Sequence, residues 1–165
     1  MSGNSPSSKA DCACNRPAGP VMLALSTFRQ SGKAVELAIE RAADSGKLIV
    51  VWVVDRNLAR YYIGSDVGLM AGKKEQCEEE VLAEHERQGC KKAEAIAQRA
   101  REKGIEASVH VRVGRFALVC LEIVEAERPS LIVTRRSERP AWVKKFFGSP
   151  VDELIARAGC PVIEA

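Results

Sequence analysis

The chain has 165 residues, 46% hydrophobic and 28% charged, which supplies one buried core and excludes an intrinsically disordered chain. A formal charge of +3 is too small to predict nucleic-acid binding by itself, and the longest apolar stretch, residues 48–54, is far too short to span a bilayer. The six cysteines do not make a small disulfide scaffold and the opening residues lack a signal peptide's apolar run, so the expected location is cytoplasmic.

Residues 1–19 are rich in Ser, Gly, Pro and Asn without a period, and are expected to form a flexible tail ahead of a domain over 20–165. A first strand, VMLAL, starts at Val21 and runs into Ser26 and Thr27. In SGKAVELAIERAADSG (31–46), Val35, Ala38, Ile39 and Ala42 recur at helical spacing and Gly46 stops the helix. LIVVWVV (48–54) is apolar at every position, the pattern of a parallel strand covered by helices on both faces. Residues 56–72 are irregular, and 73–103 is charged and helical with a thin stripe of Val81, Leu82, Ala93, Ile96, Ala97 and Ala100. Gly89 is expected to kink or divide that helix, since glycine costs roughly 1 kcal/mol in a helix interior. Acidic CEEEVLAEHE followed by basic KKAEAIAQRAREK predicts a solvated face with charge pairs three or four residues apart.

The second half repeats the alternation. ASVHVRV (107–113) predicts an edge or half-covered strand with Val109, Val111 and Val113 on one side, broken at Gly114. FALVCLEIVEAE (116–127) predicts an apolar helix, SLIVT (130–134) a short buried strand, and residues 135–147 a basic loop. In GSPVDELIARAG (148–159), Ser149 is placed as N-cap, Pro150 at the first helical position where its missing N–H costs nothing, and Asp152 three after the cap. Gly159 ends this helix and CPVIEA (160–165) forms the last strand.

Five strands alternating with helices, with no hairpin signature between them, predict an α/β fold: a doubly wound, flavodoxin-like, mostly parallel sheet with helices on both faces. Such sheets bind ligands outside the carboxyl ends of their strands, which are here Ser26 and Thr27, Val54 and Asp55, Gly114, and Thr134 and Arg135.

The segments VRVGRFALVCLEIVEAERPSLIVT and FFGSPVDELIARAGCPVIEA resemble the second half of a universal stress protein, and VMLALSTFRQSGKAVELAIERA resembles that family's opening strand and helix. The resemblance implies a sheet ordered 3-2-1-4-5, a stress-linked role, and a homodimer paired through the last strand, PVIEA, from Pro161 to Ala165. It also implies where ATP-binding members hold their nucleotide: between the first strand's end and a loop of Gly, two residues, Gly, nine residues, then Gly-Ser or Gly-Thr. Gly114, Gly148 and Ser149 match, but the two loop glycines fall on Arg135 and Glu138, and the family's adenine-contacting aspartate falls on Ser26. Glycines there let main-chain N–H groups approach phosphates closely; side chains at 135 and 138 crowd that approach, and the Glu138 carboxylate repels a triphosphate.

Each candidate ligand contact also has a structural reading. Ser26 and Thr27 either donate to a ligand or cap the following helix, and Asp55 either contacts a ligand or caps a turn. Gly114 serves an unusual backbone angle or close packing, and Gly148 and Ser149 form a cap whose free N–H groups also suit an anion. Arg135 and Arg136, with Arg139, Lys144 and Lys145, either solvate a surface loop or hold a phosphate through side chains; Trp142, Phe146 and Phe147 pack that loop or support a subunit contact. SGKA at 31–34 fails as a P-loop, because Thr27 stands where the first glycine belongs and Ala34 follows Lys33. His85 and His110 lack metal spacing, Cys12 and Cys14 are half a site at most, and Cys120 and Cys160 read as small buried hydrophobes. No nucleophile with its base is visible, so no catalytic residue is assigned. The expectation is a non-enzymatic, homodimeric stress protein requiring no cofactor, acting through protein contacts or a weakly held phosphate-bearing ligand, without nucleic-acid or membrane partners. The alternatives are an ATP- or AMP-binding switch that uses the basic loop in place of glycines, and a nucleotide-hydrolysing enzyme.

Overall fold

The computed structural model describes residues 19–56, 71–136 and 148–165. Strands and helices alternate there: β1 (Val21–Ser26), α1 (Gly32–Ser45), β2 (Lys47–Asp55), α2 (Ala71–Glu102), β3 (Glu106–Gly114), α3 (Phe116–Glu127), β4 (Leu131–Thr134), α4 (Pro150–Arg157) and β5 (Val162–Glu164). The strands form one sheet in the order β3-β2-β1-β4-β5, and every neighbouring pair is parallel. This is the doubly wound arrangement expected from the sequence. Among the described residues no helix is long and apolar enough to cross a membrane.

Alternation along each strand divides the core in two. Leu23 and Leu25, with Val50, Trp52 and Val54, meet Val35 and Ile39 of α1 and Ala93 and Ala97 of α2. Met22 and Ala24, with Ile49, Val51 and Val53, meet Phe116 and Cys120 of α3 and Val151 and Leu154 of α4. Both faces of β1 and β2 are therefore covered, which is why these strands carry no polar alternation. The N-caps are local: Ser31 Oγ accepts from the Ala34 N–H at 3.2 Å, and Ser149 Oγ accepts from the Asp152 N–H at 3.5 Å. Gly46 closes α1 in the left-handed region at φ +74°, donating its N–H to the Ala42 carbonyl.

Gly89 does not divide α2, which is one helix from Ala71 to Glu102. Its lack of a side chain serves Trp52 on β2 instead. A Cβ at position 89 would lie 2.5 Å from Trp52 Cδ1 and 2.7 Å from Nε1, so the indole occupies the space that any other residue would fill. Residues 71 and 72, read from sequence as irregular, belong to this helix, and Cys160, read as buried, is only partly so.

Candidate functional site

The strand order reverses between β1 and β4, and the chain leaves these strands toward helices on opposite faces of the sheet. In sheets of this kind such a reversal is where a ligand crevice forms, at the carboxyl ends of the two strands. Ser26 ends β1 and is 1% exposed, and Thr134 ends β4 with its hydroxyl donating to the Ala24 carbonyl at 2.8 Å. After Ser26 the chain folds back on itself: Arg29 N–H donates to the Ser26 carbonyl at 3.0 Å and Ser26 N–H to the Arg29 carbonyl at 3.5 Å. This turn sends the side chain of Arg29 inward.

Arg29 is 3% exposed, its guanidinium carbon lies 4.7 Å from the centre of the Phe116 ring, and Nη1 donates to the Arg135 carbonyl at 3.3 Å. A desolvated guanidinium over an aromatic face is worth about 2 kcal/mol, which offsets part of the cost of burying the charge. Arg135 answers from just past β4, its Nη1 donating to the Gln30 carbonyl at 3.1 Å. Gln30 then joins three elements: its Nε2 donates to the Thr27 carbonyl, and its Oε1 accepts from Lys92 Nζ of α2, both at 2.9 Å. The hydroxyls of Ser26 and Thr27 are buried without a hydrogen-bond partner among the described residues. Cys120, buried on the same face of the sheet, has its thiol pushed up to about 12 by desolvation, with the positive charge of Arg29 pulling the other way.

The predicted residues separate into groups. Ser26, Thr27 and Arg135 share the β1–β4 crevice, and Ser31 rather than Ser26 or Thr27 caps α1. Asp55 and Gly114 are paired in register at the ends of β2 and β3, and Gly114 serves close packing, since a Cβ there would stand 3.0 Å from Val119 Cγ2. Gly148 takes φ +66° and Ser149 caps α4. Arg136 joins other partners: it donates to Glu164 Oε2 at 2.8 Å through Nε, and through Nη2 to Glu164 Oε1 at 2.6 Å and Asp152 Oδ1 at 2.8 Å. Its guanidinium ties β5 and α4 to the end of β4. Arg136 holds the Glu164 carboxyl below its usual range by hydrogen bonding first and charge second. Cys12, Cys14, Glu138, Arg139, Trp142, Lys144, Lys145, Phe146 and Phe147 lie outside the described residues.

Sequence reasoning missed Arg29, Phe116, Gln30 and Lys92. A single arginine in a short polar turn carries no mark of burial, because its partner ring arrives from α3 through the fold. A cleft of about 390 Å³ between the carboxyl ends of α3 and α4, lined by Val124, Arg128, Gly159 and Cys160, lies at the opposite end of the sheet. It shares no residue with the crevice.

A family profile described as the universal stress protein family matches residues 18–163. Among solved structures, the hypothetical protein MJ0577 superposes with a TM-score of 0.64 at 16% identity, over 88% of this chain and 94% of that one. The universal stress protein UspA of Lactobacillus plantarum gives 0.63 at 15% identity, over 88% and 96%. A universal stress protein solved in complex with cAMP gives 0.54 at 15% identity, over 89% and 96%. No curated protein matches the chain.

Proposed function

The chain belongs to the universal stress protein family, and we propose that it is a non-enzymatic, homodimeric stress-response protein whose nucleotide crevice is filled by its own Arg29. The observation that carries this reading is the seat of Arg29, 3% exposed between the Phe116 ring and the Arg135 carbonyl. A ligand entering beside Ser26 has to displace a guanidinium already desolvated and hydrogen-bonded, and Arg135 offers phosphate oxygens a side chain where the ATP-binding pattern has glycine. Function then passes through protein contacts. For self-contact, Val162 and Glu164 of β5 direct their main-chain groups away from β4, as the bonds of Pro161 and Ala165 to that strand require. Pairing residues 161–165 with their two-fold mate hides these groups.

A second reading, a switch that binds an adenine nucleotide, is favoured by two buried hydroxyls without partners among the described residues, Ser26 Oγ and Thr27 Oγ1. The cAMP-bound relative shares the fold and gives that reading a ligand class. Absorbance and mass spectrometry of an extract from denatured, freshly purified protein separates the two. The proposal expects no nucleotide; a stoichiometric adenine nucleotide overturns it and leaves the switch.

A further inference from the structure

We propose that β3 pairs antiparallel with the β3 of a second copy of this chain, about a two-fold axis through Val109, independently of any pairing at β5. Among the described residues, no strand meets the outer edge of β3, a nine-residue strand. Glu106 N–H donates to the Gly46 carbonyl beside β2, which fixes the direction of every main-chain group in the parallel ladder: even-numbered residues bond β2 and odd-numbered ones face outward. Ala107, Val109, Val111 and Val113 thus offer N–H and C=O groups at the edge. Arg101 covers one of these groups, its Nη2 donating to the Ala107 carbonyl at 3.0 Å. Charged side chains commonly guard open edges in this way. In the paired state the second copy's Val111 N–H takes that acceptor, and Arg101 keeps its ion pair with Glu94.

The side chains choose the second copy as occupant, because the strand is self-complementary when read in reverse. With the axis at Val109, Val109 faces itself, Ala107 faces Val111, Ser108 faces His110 and Glu106 faces Arg112. Val109 and the Ala107–Val111 pairs then bond through their outward groups. Glu106 and Arg112 are both exposed, and each meets its opposite charge twice across the axis. Ser108 Oγ and His110 Nε2 have no hydrogen-bond partner among the described residues; the imidazole nitrogen lies 3.4 Å from Glu127 Oε1 without hydrogen-bond alignment. The same register brings these side chains opposite each other. Moving the axis by one residue to His110 sets Arg112 against Ser108 and Glu106 against Gly114, and both complementary pairs are lost.

Sedimentation of the full chain carrying Val162→Pro tests this. That substitution blocks the β5 edge at an N–H that bonds nothing in β4, so far-UV circular dichroism should be unchanged. The variant should still dimerise at about 100 μM. Adding Glu106→Arg or Arg112→Glu should weaken self-association at least about tenfold, and mixing those two charge variants in equal amounts should restore it, since each then finds its opposite. A monomer at that concentration, a dimer indifferent to either reversal, or no recovery on mixing overturns the proposal.

Discussion

Arg29 and Arg135 hold each other's loops: Arg29 Nη1 donates to the Arg135 carbonyl at 3.3 Å, and Arg135 Nη1 donates to the Gln30 carbonyl, next in the chain to Arg29, at 3.1 Å. The two bonds cross the point where the strand order reverses. A sheet of this kind ordinarily leaves that point open to a ligand. Here the turn after Ser26 and the first residue past β4 close on one another.

This clamp predicts a graded response to substitution. Arg29→Ala removes the ring contact and the bond to Arg135 and leaves a hole, so the urea unfolding midpoint should fall, equivalent to about 2 kcal/mol. Arg29→Met keeps most of the volume and removes the cost of burying a charge, so its loss should be smaller. A loss on Arg29→Met as large as that on Arg29→Ala would show that the guanidinium's own bonds, removed in both, outweigh packing.

Gly89 makes a sharper prediction, because two effects oppose. Alanine is favoured over glycine in a helix interior by about 1 kcal/mol. The added Cβ, however, would lie 2.5 Å from the ring of a Trp52 that is only 2% exposed. Overpacking of this kind costs about 1–3 kcal/mol, so Gly89→Ala should destabilise, read as a lowered thermal midpoint. A raised midpoint would mean that Trp52 shifts freely.

The thiols should separate by burial. In native protein at pH 8, iodoacetamide should modify exposed Cys90 well before Cys120, which peptide mass spectrometry resolves. Stability should also fall with alkali. The folded Cys120 thiol, pushed up to about 12 from an ordinary value near 9, stays protonated in a pH range where the unfolded chain loses that proton. Its contribution is complete below about pH 9 and declines as pH rises toward 12. Cys120→Ala should flatten that alkaline limb, and an unchanged slope would assign it to other groups.

At the acid end the sign reverses. Arg136 lowers the Glu164 carboxyl, so that pair's contribution is present above the usual carboxylate range and lost as pH falls through the lowered folded value. Both side chains are about one-third exposed, so Arg136→Ala should cost no more than about 1 kcal/mol overall. The effect should concentrate in β5, whose amides exchange faster in the variant. Equal exchange would mean that β5 is held by its ladder with β4 alone.

What the sequence made legible is what neighbouring residues decide. The uniformly apolar LIVVWVV required cover on both faces, the Val35–Ala38–Ile39–Ala42 stripe placed α1, and Ser149 with Pro150 marked the start of α4. What it hid depends on residues distant in sequence. Gly89 looked like a break because Trp52, the reason for it, stands on another element. Arg29 looked like one more surface charge because Phe116 and Arg135 reach it only through the topology. Ser26, Asp55, Gly114 and Thr134 end their strands as expected, yet Arg136 is bonded to Glu164 and Asp152, a network no local pattern announces.

Calorimetric titration of the intact chain with ATP and magnesium tests most directly whether Arg29 already fills the crevice. The account predicts no saturable heat at ligand concentrations up to about 1 mM. A dissociation constant tighter than about 10 μM would contradict it.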